Sequence, residues 1–141
     1  MEKTLTIWSL LDSIISEYAV RIKNNLSESS LSLTDSKILH LVSTGPKNMK
    51  YLADRLSLAK GWVTDITDGL ESKGLIRRVH SKEDRRVINI EITENGTKTY
   101  NKIEEMIKKI ISDSISSLPE NDIENLCDIL GKIDLQLKDH S

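Results

Sequence analysis

Six basic residues, Lys73, Arg77, Arg78, Lys82, Arg85 and Arg86, fall between positions 73 and 86, against two acids, Glu83 and Asp84. Guanidinium and ammonium groups at that density suit phosphate oxygens, and local charge governs such contacts more than total charge does. The whole chain carries −2, which taken alone speaks against a nucleic-acid partner. Its distribution speaks for one. Residues 1–33 carry −1, residues 34–100 carry +3 and residues 101–141 carry −4. The stretch Lys82–Gly96, KEDRRVINIEITENG, opens on five charged residues and then alternates apolar with polar ones. A charge run on a turn is usually just solvated, so its meaning rests on the elements before it.

Other chemistry is poorly represented. There is no Gly-rich phosphate loop, no His-x-x-x-His, no Cys-x-x-Cys and no nucleophile elbow. The three histidines, 40, 80 and 140, are scattered. Cys127 is the single cysteine. With no adjacent Lys, Arg or His to lower its pKa, it reads as a small buried apolar residue. No catalytic residue, metal ligand or cofactor is expected, and the chain does not read as an enzyme.

The 141 residues, 38% hydrophobic and 30% charged, suffice for one folded domain with a core. No apolar run approaches the roughly 20 residues that span a bilayer. The first residues, MEKTLTIWSLLDSIISEY, lack the small-residue cleavage site of a signal peptide. A cytoplasmic protein without membrane contact is expected.

The elements that position the cations follow from periodicity. Leu5, Trp8, Leu11, Ile15, Tyr18 and Ile22 recur at helical spacing. Thr34 reads as an N-cap for a helix carrying Ile38, Leu39, Leu41 and Val42, which stops at Gly45-Pro46. Asn48 caps a short helix with Met49, Leu52, Ala53 and Leu56 inward. A three-residue turn leads to a second helix, near Lys60 to Lys73, with Val63, Ile66 and Leu70 inward and Gly74 as its stop. Two short helices so joined make a helix-turn-helix. Residues 75–79 and the alternating Ile88, Ile90 and Ile92 are strand candidates on either side of the charged tip. Thr93 opens a long helix with Tyr100, Ile103, Ile107, Ile110 and Ile111. After a break at Leu118-Pro119, a last helix carries Ile123, Leu126, Leu130, Ile133 and Leu137.

This order is mainly α with a small β-hairpin wing: a winged helix-turn-helix flanked by helical arms. A recognition helix enters the major groove, and a basic hairpin beside it reaches phosphates or the adjacent minor groove. The segment LADRLSLAKGWVTDITDGLESKGLI, then DRR and ITENG, resembles the MarR family of transcriptional regulators. That resemblance implies two-fold dimers built through the terminal helices, pseudo-palindromic operators, and release by a small ligand. It divides the chain into an N-terminal dimerisation helix (1–33), a DNA-binding unit (34–100) and C-terminal dimerisation helices (101–141), one compact domain per protomer.

Carried over by position, Thr64 falls near the start of the recognition helix. Asp84 and Arg86 fall on the wing's Asp-x-Arg, with Asp84 structural. Lys60, Gly61, Trp62, Thr64, Asp65, Lys73, Lys82, Arg85 and Arg86 form the expected DNA-binding set. Leu5, Trp8, Leu11, Ile15, Ile123, Leu126, Leu130, Ile133 and Leu137 form the expected dimer set. Tyr18, Arg21, His40 and Tyr100 border a possible pocket for a small aromatic or anionic ligand. Some residues keep a plainer reading: His40 as a core histidine with a backbone partner, Trp62 as core, and Asp65 as a surface carboxylate. Of Arg77 and Arg78, one is expected to face solvent and one to pair with an acid. The family's basic residues at 65 and 69 are Asp and Gly here, so the recognition helix is acidic. That favours an alternative, a winged-helix protein-interaction module that does not bind DNA.

Overall fold

The protein, seen in a computed structural model, is described over residues 2–140. Helix α1 (Glu2–Leu26) ends in a short 3-10 turn (Ser27–Ser29), and α2 (Leu33–Val42) follows. Strand β1 (Lys47–Asn48) leads directly into α3 (Met49–Leu56), and a three-residue turn separates that from α4 (Lys60–Ser72). Strands β2 (Ile76–His80) and β3 (Ile88–Ile92) form the hairpin, and α5 (Glu94–Ser114) and α6 (Glu120–Asp139) complete the chain. The mainly helical winged helix-turn-helix with flanking helices is therefore present.

The core lies where α2, α3, α4 and the sheet converge. Ile38, Leu39, Leu52, Val63, Leu70, Ile76 and Ile90 are fully buried there, with Leu26 of α1 and Ile103 of α5 in the same cluster. Each of these sits on the inward stripe of its own element, so burial follows the helical and strand periods. Thr67, also buried, satisfies its hydroxyl by donating to the Val63 carbonyl at 2.8 Å. The sheet has the order β1-β3-β2, antiparallel throughout, with Arg78 opposite Ile90 and Lys47 on the other side of Ile90. β1 was not anticipated: two residues are too few to show an alternating pattern.

Two local devices fix the frame. The cap of α2 is Ser32, not Thr34. Its hydroxyl accepts from the Asp35 N–H at 3.0 Å, and Asp35 accepts from the Ser32 N–H at 2.8 Å. This reciprocal box satisfies two donors at once, which Thr34 could not do from inside the helix. At the other end of the winged unit, Thr93 accepts from Gly96 N–H at 3.0 Å and donates to the Gly74 carbonyl at 2.6 Å. Gly96 is required by space: a Cβ there would lie 2.0 Å from the Leu75 carbonyl oxygen and 2.7 Å from Ile92. Thus the Thr and Gly of ITENG dock α5 onto the start of β2.

The flanking helices are covered far less. Helix α1 buries only Leu26 and α6 buries no residue. Leu5, Trp8, Leu11, Ile15, Leu126, Leu130, Ile133 and Leu137 are all exposed in the single chain. Cys127 is exposed with them, contrary to its reading as a buried residue, because no residue of α6 is buried among the described residues.

Candidate nucleic-acid interface

Helix α4 is aimed by the turn before it. Ser57 closes α3 in the left-handed region (φ 54°), and the Leu58 N–H returns to the Ala53 carbonyl at 3.0 Å. Ala59 then starts α4 without a capping side chain, leaving its first amides open to an outside acceptor. Val63, Thr67 and Leu70 anchor one side of α4 in the core. The opposite side presents Gly61, Trp62, Thr64, Asp65 and Asp68. Trp62 is 65% exposed, so its reading as core is overturned: at 62 the helix has turned away from the stripe through Val63 and Leu70. The Thr64 hydroxyl donates to the Lys60 carbonyl at 2.9 Å, which leaves its oxygen able to accept a further bond.

The wing stands beside this surface. Its loop is closed by the Ser81 N–H to Val87 carbonyl bond (2.9 Å), the Val87 N–H to Asp84 carbonyl bond (3.0 Å) and a His80 Nδ1 contact to the Arg85 carbonyl (2.8 Å). Asp84 binds Arg86 three ways: through its N–H at 3.0 Å, its Nε at 3.1 Å and a terminal nitrogen at 3.1 Å. The Arg86 guanidinium holds the Asp84 carboxyl below the ordinary aspartate range, and the Arg86 N–H lowers it further. Yet the Arg86 side chain is 90% exposed, so the pair orients the arginine without hiding it. Lys60, Lys82 and Arg85 have no hydrogen-bonding or ion-pair partner for their side chains among the described residues. They are cations held ready for an outside anion.

Other cations are already engaged. Arg77 faces solvent and the half-buried Arg78 pairs with acids, as expected of the two, and Arg77 is paired as well. Arg77 meets Glu91 across the hairpin, and Arg78 crosses from β2 to α4, where it donates to Asp68, Glu71 and Thr67. These partners were illegible in the sequence because they arise from strand register and from the packing of α4 on β2. Lys73 lies at the far end of α4, and its ammonium donates to the Ser30 carbonyl at 2.7 Å. It ties α4 to the chain leaving α1.

The four expected pocket residues fall in two places. His40 Nδ1 lies 2.8 Å from the Tyr100 hydroxyl, with the rings tilted and 5.9 Å apart. His40 is exposed and its partner is a side chain, so it is not a core histidine with a backbone bond. Burial raises the Tyr100 pKa, Glu104 raises it further, and the Ser43 hydroxyl opposes them. Tyr18 instead bonds Ser114 at 2.6 Å, about 21 Å along α5 from Tyr100 at 1.5 Å per residue. Arg21 pairs with Glu17 on its own helix. A shallow recess of about 270 Å³ opens beside His40, lined by Lys37, Leu41, Arg55 and Leu56.

A short helix anchored in a core, an exposed second helix and a cationic hairpin next to it define a winged helix-turn-helix DNA-binding transcription regulator. The sequence pattern described as the MarR family matches residues 31–88, and the chain belongs to that family. It is 29% identical over 138 residues to the HTH-type transcriptional regulator MhqR of Bacillus subtilis, covering 97% of this chain and 95% of that protein. It is 30% identical over 111 residues to the HTH-type regulator SarZ of Staphylococcus aureus, covering 77% and 75% of the two chains. Among solved structures, the transcriptional regulator BldR of Sulfolobus solfataricus matches with TM-score 0.82 and 29% identity, covering 96% of each chain. FabT of Streptococcus pneumoniae, solved in complex with DNA, shares the fold with TM-score 0.80 and 24% identity, covering 98% and 99%. The family is one of transcription regulators and not of enzymes.

Proposed function

We propose that this protein is a sequence-specific, homodimeric repressor that binds a pseudo-palindromic operator in double-stranded DNA, in the cytoplasm. The observation that carries the reading is the unpaired cations Lys60, Lys82 and Arg85 together with the exposed Arg86, on two elements that flank one surface. The DNA-bound state of FabT supports it by analogy of fold. Lys60, Gly61, Trp62, Thr64 and Asp65 face the major groove in this reading, and Lys82, Arg85 and Arg86 serve phosphates or the minor groove. Lys73 keeps its charge while it donates to the neutral Ser30 carbonyl, and would leave that bond to contact a phosphate directly. Residues 34–100 are the DNA-binding unit, and 1–33 and 101–141 are the dimer arms. Their exposed apolar faces are the kind of surface that two-fold association covers.

The non-DNA alternative rested on the acidity of α4. Two of the three acids there, Asp68 and Glu71, are bound by Arg78. The one guanidinium offsets one of their two charges within the chain, which weakens that support. A gel-shift series against salt tests the function: affinity should fall steeply with salt through counterion release. No binding near physiological salt, or a flat response, would return the protein-interaction reading.

Release by a small aromatic or anionic ligand is the finer part of the proposal. The His40–Tyr100 corner, with Lys37 and Arg55 nearby, offers polar handles beside apolar wall. Tyr18 and Arg21 stand apart from it. Phenolic acids that neither shift the melting temperature nor relieve DNA binding at millimolar concentration would remove this part and leave the DNA function standing.

A further inference from the structure

The outward face of α4 carries three features that folding of the chain does not use. Gly61 and Gly69 lie in the helix with nothing within 4 Å of an added Cβ. Glycine inside a helix is destabilising relative to alanine, and no packing among the described residues requires it at either place. Trp62, beside Gly61 in sequence and two turns before Gly69, is 65% exposed. Asp65, one turn on, is exposed and has no side-chain hydrogen bond or ion pair among the described residues, while Asp68 and Glu71 are held by Arg78. Asp65 is the sixth residue of α4, beyond the first turn where the helix dipole favours a carboxylate. A free carboxylate also opposes an approaching phosphate backbone. Together these make a bare, closely approachable patch with one apolar plate and one pure acceptor.

Building on the DNA-binding reading above, we infer that this patch reads pyrimidines: Trp62 packs on the C5-methyl group of a thymine and Asp65 accepts from the N4 amino group of a cytosine. Both groups lie in the major groove: the methyl marks thymine alone, and an amino donor is presented there only by cytosine N4 and adenine N6. A carboxylate can only accept, so it matches cytosine N4 and is repelled by the O4 of thymine, by the O6 and N7 of guanine, and by the N7 that adenine places beside its N6 donor. The two glycines remove the side chains that would hold the helix axis away from the base edges. Trp62 and Asp65 are three residues apart, with Cβ atoms roughly 5–6 Å from each other. Base pairs stack at about 3.4 Å, so the thymine and the cytosine sit within two base pairs of one another in each half-site.

The test starts from a randomised double-stranded DNA library selected on the full-length protein, followed by binding titrations on the selected site. Each half-site should specify a T and a C within two positions. Deoxyuridine in place of that thymidine deletes only the methyl group and should weaken binding about 3- to 5-fold; with Trp62→Ala the two sites should bind equally. Changing the C·G pair to T·A should weaken wild-type binding about 5- to 150-fold. Asp65→Asn should erase that preference and favour adenine, because an amide both donates and accepts. Both side chains are exposed, and the deoxyuridine arm leaves the protein unaltered, so loss of folding cannot imitate the result. A selected site with neither pyrimidine, or unchanged base preference in both variants, overturns the inference while leaving the DNA-binding function intact. A library that yields no retained DNA even at low salt overturns both.

Discussion

Arg78 of β2 reaches Asp68 of α4 at 2.5 Å, and so joins the wing to the recognition helix by a charged contact. The same guanidinium holds Glu71 and reaches the buried Thr67 hydroxyl at 3.2 Å. Its side chain is 27% exposed, so screening is partial and the multiple bonds share one fixed geometry. The contact fixes the angle between the two elements that must meet DNA together.

Arg78→Ala should therefore do more to DNA binding than to stability. Losing hydrogen bonds to charged groups that remain partly solvated is worth about 1–2 kcal/mol, read by denaturant unfolding. DNA affinity should fall further than Arg77→Ala makes it fall, because Arg77 pairs only within the hairpin. Arg78→Lys should recover part of the stability but little of the affinity, since an ammonium cannot fork across two carboxylates. Equal effects of the Arg77 and Arg78 substitutions on affinity would remove the coupling role.

Gly96→Ala is expected to be among the most damaging single methyl additions in the chain. The added Cβ meets the Leu75 carbonyl oxygen at 2.0 Å, and backbone cannot swing aside as a side chain can. Overpacking of this kind destabilises by about 3 kcal/mol, the top of its usual range. Gly61→Ala is the matched control: with open space around it, it should be neutral or slightly stabilising. Thermal unfolding of the two variants decides the point.

What the sequence showed and what it hid divide along physical lines. Asn48, Thr93 and Gly74 were legible because a cap or a left-handed stop depends on neighbours within four residues. Ser32 was also legible in principle, since its spacing to Asp35 is that of a capping box. Thr34 reads as a cap because it places Asp35 in the first turn. His40 misled through its apolar neighbours in sequence, whereas its helical position points it outward to Tyr100, sixty residues away. Cys127 misled in a related way: its apolar neighbours belong to a face that one chain leaves uncovered. The pairing of Lys73 with Ser30 and of Arg78 with α4 depends on tertiary contact, which no local pattern encodes.

The uncovered faces of α1 and α6 give a direct prediction. Leu130→Asp with Ile133→Asp should dissociate the proposed dimer, observed as a fall to monomer mass in sedimentation at micromolar concentration. Neither residue is buried in the single chain, so the winged unit should keep its fold, read as unchanged protection of α2 and α4 amides from exchange. Operator affinity should drop with the loss of the second half-site. A wild-type protein that sediments as a monomer at micromolar concentration would refute the arrangement.

The last prediction concerns the wing pair. A carboxyl held below its ordinary pKa by Arg86 contributes to wing order above the ordinary aspartate pKa, and loses that contribution as pH falls through the lowered value. The contact is thus complete at neutral pH and fails only in acid. Arg86→Ala should move the Asp84 titration upward, seen in its carboxyl carbon shift by NMR. On DNA the same substitution should weaken binding to most sequences and make the salt dependence shallower by about one phosphate contact. Thr64→Ala should instead change preference at particular base pairs, by about 1–3 kcal/mol at the matched site. Asp84→Asn keeps Arg86 and an oxygen that can accept from its N–H and Nε but loses the bond at the second carboxylate oxygen, so it should loosen the wing less than Asp84→Ala does. Arg86→Ala protein that binds its operator with unaltered affinity and salt slope would show that the wing does not touch DNA.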